Sequence, residues 1–455
     1  MLPERSVQPI ECAVVGAGWA GLAAAIGLVH AGRQVMLLDA APQAGGRARS
    51  LNLQAHGTTL ALDNGQHLLI GGYSATLALL RRIDLQPDTV LRRFPLRLRS
   101  VQGLHVDAGR WPGRAGLAWG LLRAQGLSAG QRLAAARLLA TLPPDNDRHW
   151  PRGLTVSQWL THRGQPEALI ERLWRPVCVG ALNTALHEAC ARTFARVLRD
   201  TFRAAPDAFD MLLARGCLGA VLPDPALAWL RARGAAVHLR RPVRALERTT
   251  DQGWTLQTDQ GPVAAHQVVL ALPPRAALRL IDPLVPAESL PAQSNFQEEP
   301  IATVWLAWHD RLSLPDTLLL HDDMQAGAPG QWLFNRTDAT GSAWQTVAGV
   351  VVSAAGHTLP DPQTLADQVN AQVSTQLAVP PAPFARAIVE RQATQRCTPN
   401  RLRIDREPLR RLCPGLELAG DWMWPDYPST IESAVRSGDA AAQALLGQSS
   451  PFPAG

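Results

Sequence analysis

Gly16-Ala17-Gly18-Trp19-Ala20-Gly21 has the G-x-G-x-x-G spacing of a phosphate-binding turn. The first glycine permits the tight turn, the second lets the main chain approach a pyrophosphate, and the third lets a helix pack closely on the preceding strand. Asp39 follows about twenty residues later, where a carboxylate can accept a hydrogen bond from a ribose hydroxyl. The chemistry indicated is the binding of a dinucleotide. The turn alone does not say which one.

Such a turn works only between a strand and a helix, whose positive end then faces the phosphates. Residues Ile10 to Val15 are predicted as a short buried strand. Trp19 to His30 is predicted as a helix with Leu22, Ile26 and Val29 on one face, closed by Gly32. Gln34 to Leu38 reads as a second strand, ending at Asp39. Further on, Pro166 to Leu182 and His187 to Phe202 carry helical spacing. Asp224-Pro225 reads as an N-cap and first-turn proline of a helix running to Gly234. Strands are predicted at Ala236 to Leu239, Trp254 to Thr258, His266 to Leu272, Ala302 to Trp308 and Thr346 to Ser353, with a helix near Pro362 to Leu377. Leu416 to Leu446 reads as a strand, a tryptophan-bearing loop and a small-residue helix. The predicted class is α/β (α+β overall), with a Rossmann-like nucleotide-binding domain built from separated segments and a second domain of helices and a mixed sheet.

Composition narrows the chemistry. The 455 residues are 46% hydrophobic and 18% charged, enough to bury a large core. All 44 basic residues are arginine, so neither a Schiff-base lysine nor a P-loop lysine exists here. The six cysteines show no C-x-x-C pair, and no metal site or disulfide framework is expected. The net charge of +6 comes without the interleaved aromatics of a nucleic-acid module. The uncharged run Ala13 to Val29 contains four glycines and falls short of a membrane span of ~20 residues.

Gly45-Gly46-Arg47-Ala48-Arg49 resembles the G-G-R motif of flavoproteins of the amine oxidase and phytoene desaturase superfamily. There the glycines admit the cofactor and Arg47 can pair with its pyrophosphate. Leu418-Ala419-Gly420-Asp421 resembles that superfamily's C-terminal flavin motif, and Ile431-Glu432-Ser433-Ala434 resembles the helix start that faces the flavin. Val243 matches the position whose backbone meets the adenine. Asp63-Asn64-Gly65-Gln66-His67-Leu68-Leu69 with Gly72-Tyr73, Leu173-Trp174-Arg175-Pro176 with Ala181-Leu182-Asn183-Thr184, and Gly420-Asp421-Trp422 with Tyr427-Pro428-Ser429-Thr430-Ile431-Glu432-Ser433-Ala434 resemble, more narrowly, the bacterial hydroxysqualene dehydroxylases.

The resemblance implies FAD as cofactor, with segments 1–75, 211–288 and 406–447 forming its domain. Residues 76–210 would be a helical substrate or membrane-facing region, 289–405 a substrate domain and 448–455 a tail. It implies that hydroxysqualene loses an allylic hydroxyl and receives hydride from reduced flavin, giving squalene in hopanoid or triterpene synthesis. An acid must protonate the leaving hydroxyl. His67, Asp426 and Tyr427 are the candidates. His67 could instead make a structural hydrogen bond, Asp426 could be a turn residue, and Trp422 and Trp424 could be core or pocket wall. Glu432 is expected to support the start of the last helix. Cys397 does not sit in the context of a covalent flavin attachment, so FAD is expected to be non-covalent. NADPH could serve as reductant, although there is no second G-x-G-x-x-G to dock it. The substrate would be a C30 isoprenoid, other squalene-forming enzymes could be partners, and no nucleic acid is expected. Peripheral contact with the inner face of the cell membrane is expected from so insoluble a substrate. Competing readings are a carotenoid-type desaturase on the same scaffold, a flavin amine oxidase, disfavoured by the absence of lysine, and a non-catalytic flavin-stabilised scaffold.

Overall fold

The computed structural model describes residues 9–448 apart from 110, 112, 145–149, 204–206, 252, 290–295, 338–343 and 357. Ile10–Val15 forms the expected buried strand and pairs in parallel with Val35–Leu38 on one side and Val263–Leu270 on the other. These runs are nearly continuous apolar sequence, as a strand covered on both faces requires. Ala236–His238 extends the sheet in parallel beyond Val35–Leu38. Leu416–Leu418 pairs in parallel with the C-terminal half of Val263–Leu270. Trp254–Thr258 and Val243–Arg248 continue the sheet antiparallel. The sheet thus takes strands from both ends of the chain and from its middle.

The helix Trp19–His30 packs on this sheet and is buried along most of its length. The last helix, Ile431–Leu445, lies against it. Their approach requires glycine: a Cβ on Gly438 would stand 2.0 Å from the carbonyl oxygen of Ala20. A second, antiparallel sheet runs in the order Thr317–Leu319, Trp332–Asn335, Thr346–Ser353, Glu298–Trp308, Phe384–Gln395. The helix Pro362–Leu377, capped by Asp361, covers it with Leu365, Ala366, Val369 and Val373.

The helical region departs from its sequence pattern in two places. The run from Glu167 to Leu182 is one helix with a π turn at Ile170–Trp174. The wider turn precedes Pro176, which has no N–H to give to an α-helical ladder. The next helix, Ala191–Arg203, starts four residues later than predicted. The N–H of Cys190 is taken by the carbonyl of Cys397, at 2.7 Å, which holds the chain extended there. The predicted N-cap at Asp224 is also displaced. Leu222 caps the helix Pro223–Ala232, Pro223 takes the first turn, and Asp224 sits inside it.

Candidate functional site

The phosphate-binding turn has the geometry its glycines suggest. Gly16 has φ +104°, and a Cβ there would lie 2.2 Å from the Ala271 carbonyl oxygen. A Cβ on Gly21 would stand 1.8 Å from the carbonyl oxygen of Gly16. The turn is clamped to the Gly-Gly-Arg segment, because Gly45 donates its N–H to Ala17 at 2.8 Å. Gly46, with φ +61°, comes so near Gly18 that a Cβ would stand 3.2 Å from its Cα. These positions make a main-chain cradle that side chains would fill.

Asp39 lies at the rim of the cradle. Its carboxylate accepts the N–H of Ala17 on one oxygen and that of Ala41 on the other. Burial raises its pKa, and those two N–H groups oppose the rise. Each oxygen keeps a lone pair free for a further donor. Arg240 and Arg241 give their N–H groups to the carbonyls of Ala41 and Asp39. Val243 follows two residues on, at the start of its strand, with its side chain packed on the sheet core.

Arg47 links the two ends of the chain. Its guanidinium pairs with Asp421 and donates to the Ala393 carbonyl at 2.6 Å. A guanidinium carries five N–H donors, so donors are left for a phosphate. Gly420, beside Asp421, has φ +150° and donates to the Ser437 hydroxyl at 2.8 Å. Ile431 opens the last helix one residue after its cap, Thr430. The Gly16 turn, Asp39, the Gly46-Arg47 segment, Gly420-Asp421 and Ile431 all line one cavity. The fit to a flavin dinucleotide is good: a main-chain cradle, a ribose acceptor and an arginine meet there.

The cavity measures about 1230 Å³, more than the roughly 300–1,000 Å³ of an ordinary small-molecule site. Its other end is apolar, with Leu96, Leu98, Val177, Leu198, Trp332 and Phe334 among its walls. His67 and Tyr427 line the same cavity. His67 bonds the Gly65 carbonyl through Nδ1 at 2.8 Å. A carbonyl only accepts, so Nδ1 carries the proton and Nε2 offers a lone pair. Burial lowers the pKa of His67 below its ordinary value, and the Gly65 bond and Asp63 oppose this. The turn bearing His67 is fixed by Gln66, whose N–H reaches Thr303 at 3.0 Å and whose Oε1 accepts from Arg336 at 2.8 Å.

Tyr427 donates its hydroxyl to Asp200. The guanidinium carbons of Arg196 and Arg436 lie 5.5 and 5.4 Å from its ring centroid. Burial and the Asp200 carboxylate raise the phenol pKa above its ordinary value. Tyr73 also lines the cavity, and burial raises its pKa too. These are the only two tyrosines in the chain. Tyr73 belongs to a motif that carries the family resemblance without a role attached to it, whereas nothing local in the sequence marks Asp200.

Other expected residues lie elsewhere. Asp426 does not line the cavity. Its carboxylate pairs with Arg403 at 3.2 Å and approaches Arg196 at 3.9 Å, because the chain turns it away from Tyr427's side. Trp422 and Trp424 are core residues: Trp422 donates to the Leu272 carbonyl and meets Phe296 edge-on. Glu432 does not support its own helix start. It accepts the N–H groups of Ala75 and Thr76, opening the helix Ser74–Arg82, and pairs with Arg436. Thr430 caps the last helix instead. Asn183, in the left-handed region, joins the helices to the second sheet through Thr394 and the Ala354 N–H. Cys397 is buried in the helical core, away from the cavity.

Comparison with known proteins places these features in context. Residues 19–446 match the family of flavin-containing amine oxidoreductases. A hydroxysqualene dehydroxylase of Sinorhizobium fredii is 30% identical, over 97% of this chain and 99% of its own. A probable zeta-carotene desaturase of Synechococcus elongatus is 31% identical, but over 55% of this chain and 54% of its own. The structure of cyclohexylamine oxidase from Brevibacterium oxydans superposes with a TM-score of 0.68 at 18% identity, covering 96% of this chain and 99% of that one. That likeness shows the fold.

Proposed function

The chain belongs to the flavin-containing amine oxidoreductases and, within them, to the hydroxysqualene dehydroxylases, and from that premise we propose that it converts hydroxysqualene to squalene. The observation that carries the proposal is the continuous cavity, with a dinucleotide cradle at one end and an apolar wall at the other. A long isoprenoid fits the second end, and its reacting carbon would then lie at the junction. The balance of the reaction is loss of hydroxide as water, with one proton and one hydride taken up.

We propose FAD, held non-covalently, as the cofactor; when bound and reduced it supplies the hydride. Gly16, Gly18 and Gly46 admit the pyrophosphate to the main chain, and Gly21 sets the helix behind it. Asp39 holds the ribose, with Val243 near the adenine. Arg47 and Asp421 hold the diphosphate and ribityl region, and Ile431 presents a helix N-terminus to the flavin. Segments 1–75, 211–288 and 406–447 are proposed as its domain, which agrees with the three origins of the parallel strands. The core position of Cys397 supports non-covalent binding.

Tyr427 is proposed as the proton donor to the leaving hydroxyl: its one O–H proton, given to Asp200 in the structure, would turn to the substrate oxygen once that is bound. His67, with Nε2 unprotonated, would accept a hydrogen bond and orient the substrate rather than protonate it. The apolar walls would keep water from capturing the allylic cation. Peripheral membrane contact and reduction by NADPH are proposed on the nature of the substrate and of the reaction alone. No described helix is long and apolar enough to cross a membrane.

Anaerobic incubation of the chemically reduced flavoprotein with hydroxysqualene tests the assignment. Squalene should appear in step with flavin reoxidation. Flavin that stays reduced, with no squalene formed, would overturn it. The shorter desaturase likeness favours a second reading, desaturation of a polyene by oxidised flavin. Bleaching of the oxidised flavin by phytoene or a carotene, with no reaction on hydroxysqualene, would establish that one.

A further inference from the structure

Between Asp107 and Asp145 the chain has no acidic residue and five arginines, at 110, 114, 123, 132 and 137. This stretch forms the helices Gly113–Leu122 and Ala129–Ala140. Leu117, Leu121, Ala135 and Leu138 turn inward and are buried in the helical core. The outward side is apolar as well. Trp119 is 41% exposed and Leu122 66%, with Leu133 on the second helix 71% and Trp111 just ahead of the first 62%. These are four of the five exposed large hydrophobic residues among the described ones. Arg123 and Arg137 stand exposed beside them, and Arg123 lies 4.7 Å over the Trp119 ring.

A helix apolar on both sides is at home in a core or against lipid, not in water. We infer that these two helices dock on an anionic lipid bilayer, with Leu122 and Leu133 in the acyl boundary, Trp111 and Trp119 at headgroup level and Arg123 and Arg137 on lipid phosphates. The charge decides against a second copy as the occupant, since two such faces would set arginine against arginine. Position supports lipid. The helix Ala191–Arg203 packs against both surface helices, and its Val197 and Leu198 line the apolar end of the cavity. A substrate leaving the bilayer therefore has one helical layer between the docked face and its binding wall. The surface rests on the isoprenoid reading for its purpose, but not for its chemistry.

Sedimentation with phosphatidylcholine vesicles, with and without phosphatidylglycerol, tests it. The wild-type flavoprotein should bind the anionic vesicles and be released by salt. The L122E/L133E variant should bind them about tenfold less or weaker, while keeping its flavin and its turnover of detergent-dispersed substrate. R123Q/R137Q should flatten the salt dependence. Wild-type protein left in the supernatant with anionic vesicles would overturn the inference. So would undiminished binding by L122E/L133E, or a change in that variant confined to a dimer becoming a monomer in sedimentation velocity. Vesicle binding by a wild-type protein that leaves detergent-dispersed hydroxysqualene unreacted would support the surface and sink the substrate assignment.

Discussion

His67 and Tyr427 are the cavity residues proposed to meet the substrate hydroxyl, and burial moves them in opposite directions. It pushes the phenol of Tyr427 above its ordinary value near 10, aided by the Asp200 carboxylate, and pushes the imidazole of His67 below its ordinary value near 6.5. The phenol therefore keeps its proton as pH rises past neutrality, and the imidazole gains a second one only as pH falls below 6.5. Neither changes charge from about pH 7 to about pH 9, so turnover at saturating substrate should be level across that range. An inflection inside it would show that a different group controls the proton. Tyr427→Phe removes the donor while keeping the ring between its two arginines. Turnover should fall by about 100-fold, with flavin content and absorbance unchanged. His67→Asn should cost less than Tyr427→Phe, because Asn can still accept a hydrogen bond. A larger loss for the histidine variant, measured in the same single-turnover assay, would reverse the assigned roles.

The last helix shows what a single element contributes. Gly438 brings it onto the first helix, Thr430 caps it, and Glu432 reaches away to cap Ser74–Arg82. Glu432→Ala would leave two buried N–H groups and Arg436 without that carboxylate. A loss of about 3 kcal/mol in unfolding free energy follows, measurable by urea denaturation of the flavoprotein. An effect below about 0.5 kcal/mol would mean that water replaces the cap. The same element marks the boundary of what was legible in the sequence. Ile10–Val15, Trp19–His30, Trp254–Thr258 and Thr346–Ser353 carry their periodicity and stop signals locally, and they appear where the pattern puts them. Glycine motifs are legible because a steric demand allows one residue type. The strand Phe384–Gln395 was missed: it is half-exposed, mixes Arg, Glu and Gln with its apolar residues, and is specified by its pairing with Glu298–Trp308. Glu432 and Asp200 were misread or unseen because their partners, Thr76 and Tyr427, are separated from them by 356 and 227 residues.

Across the whole molecule, the first and last motifs meet through Arg47 and Asp421, and the second sheet and the helices close the far side of the same space. One cavity therefore serves cofactor and substrate, and a change at its apolar end should leave the cradle untouched. Ala181 tests this separation. It sits half-buried on the helix Arg175–Leu182 and faces the cavity, on a different element from every residue of the dinucleotide cradle. Ala181→Trp adds bulk where open space lies, so the rotamer that enters the cavity avoids most of the overpacking cost of about 1–3 kcal/mol met in a filled core. Substrate would then be displaced from the junction, and displacements of ångström size are costly in rate. The expected loss in kcat/KM for hydroxysqualene is about tenfold or more, with flavin absorbance and its release on acid precipitation unchanged. A short-chain allylic alcohol, which does not reach the apolar end, should lose much less. If both substrates suffer equally, the tryptophan has disturbed the junction itself. If neither does, the long chain lies along another wall, and the apolar end is not where the isoprenoid binds.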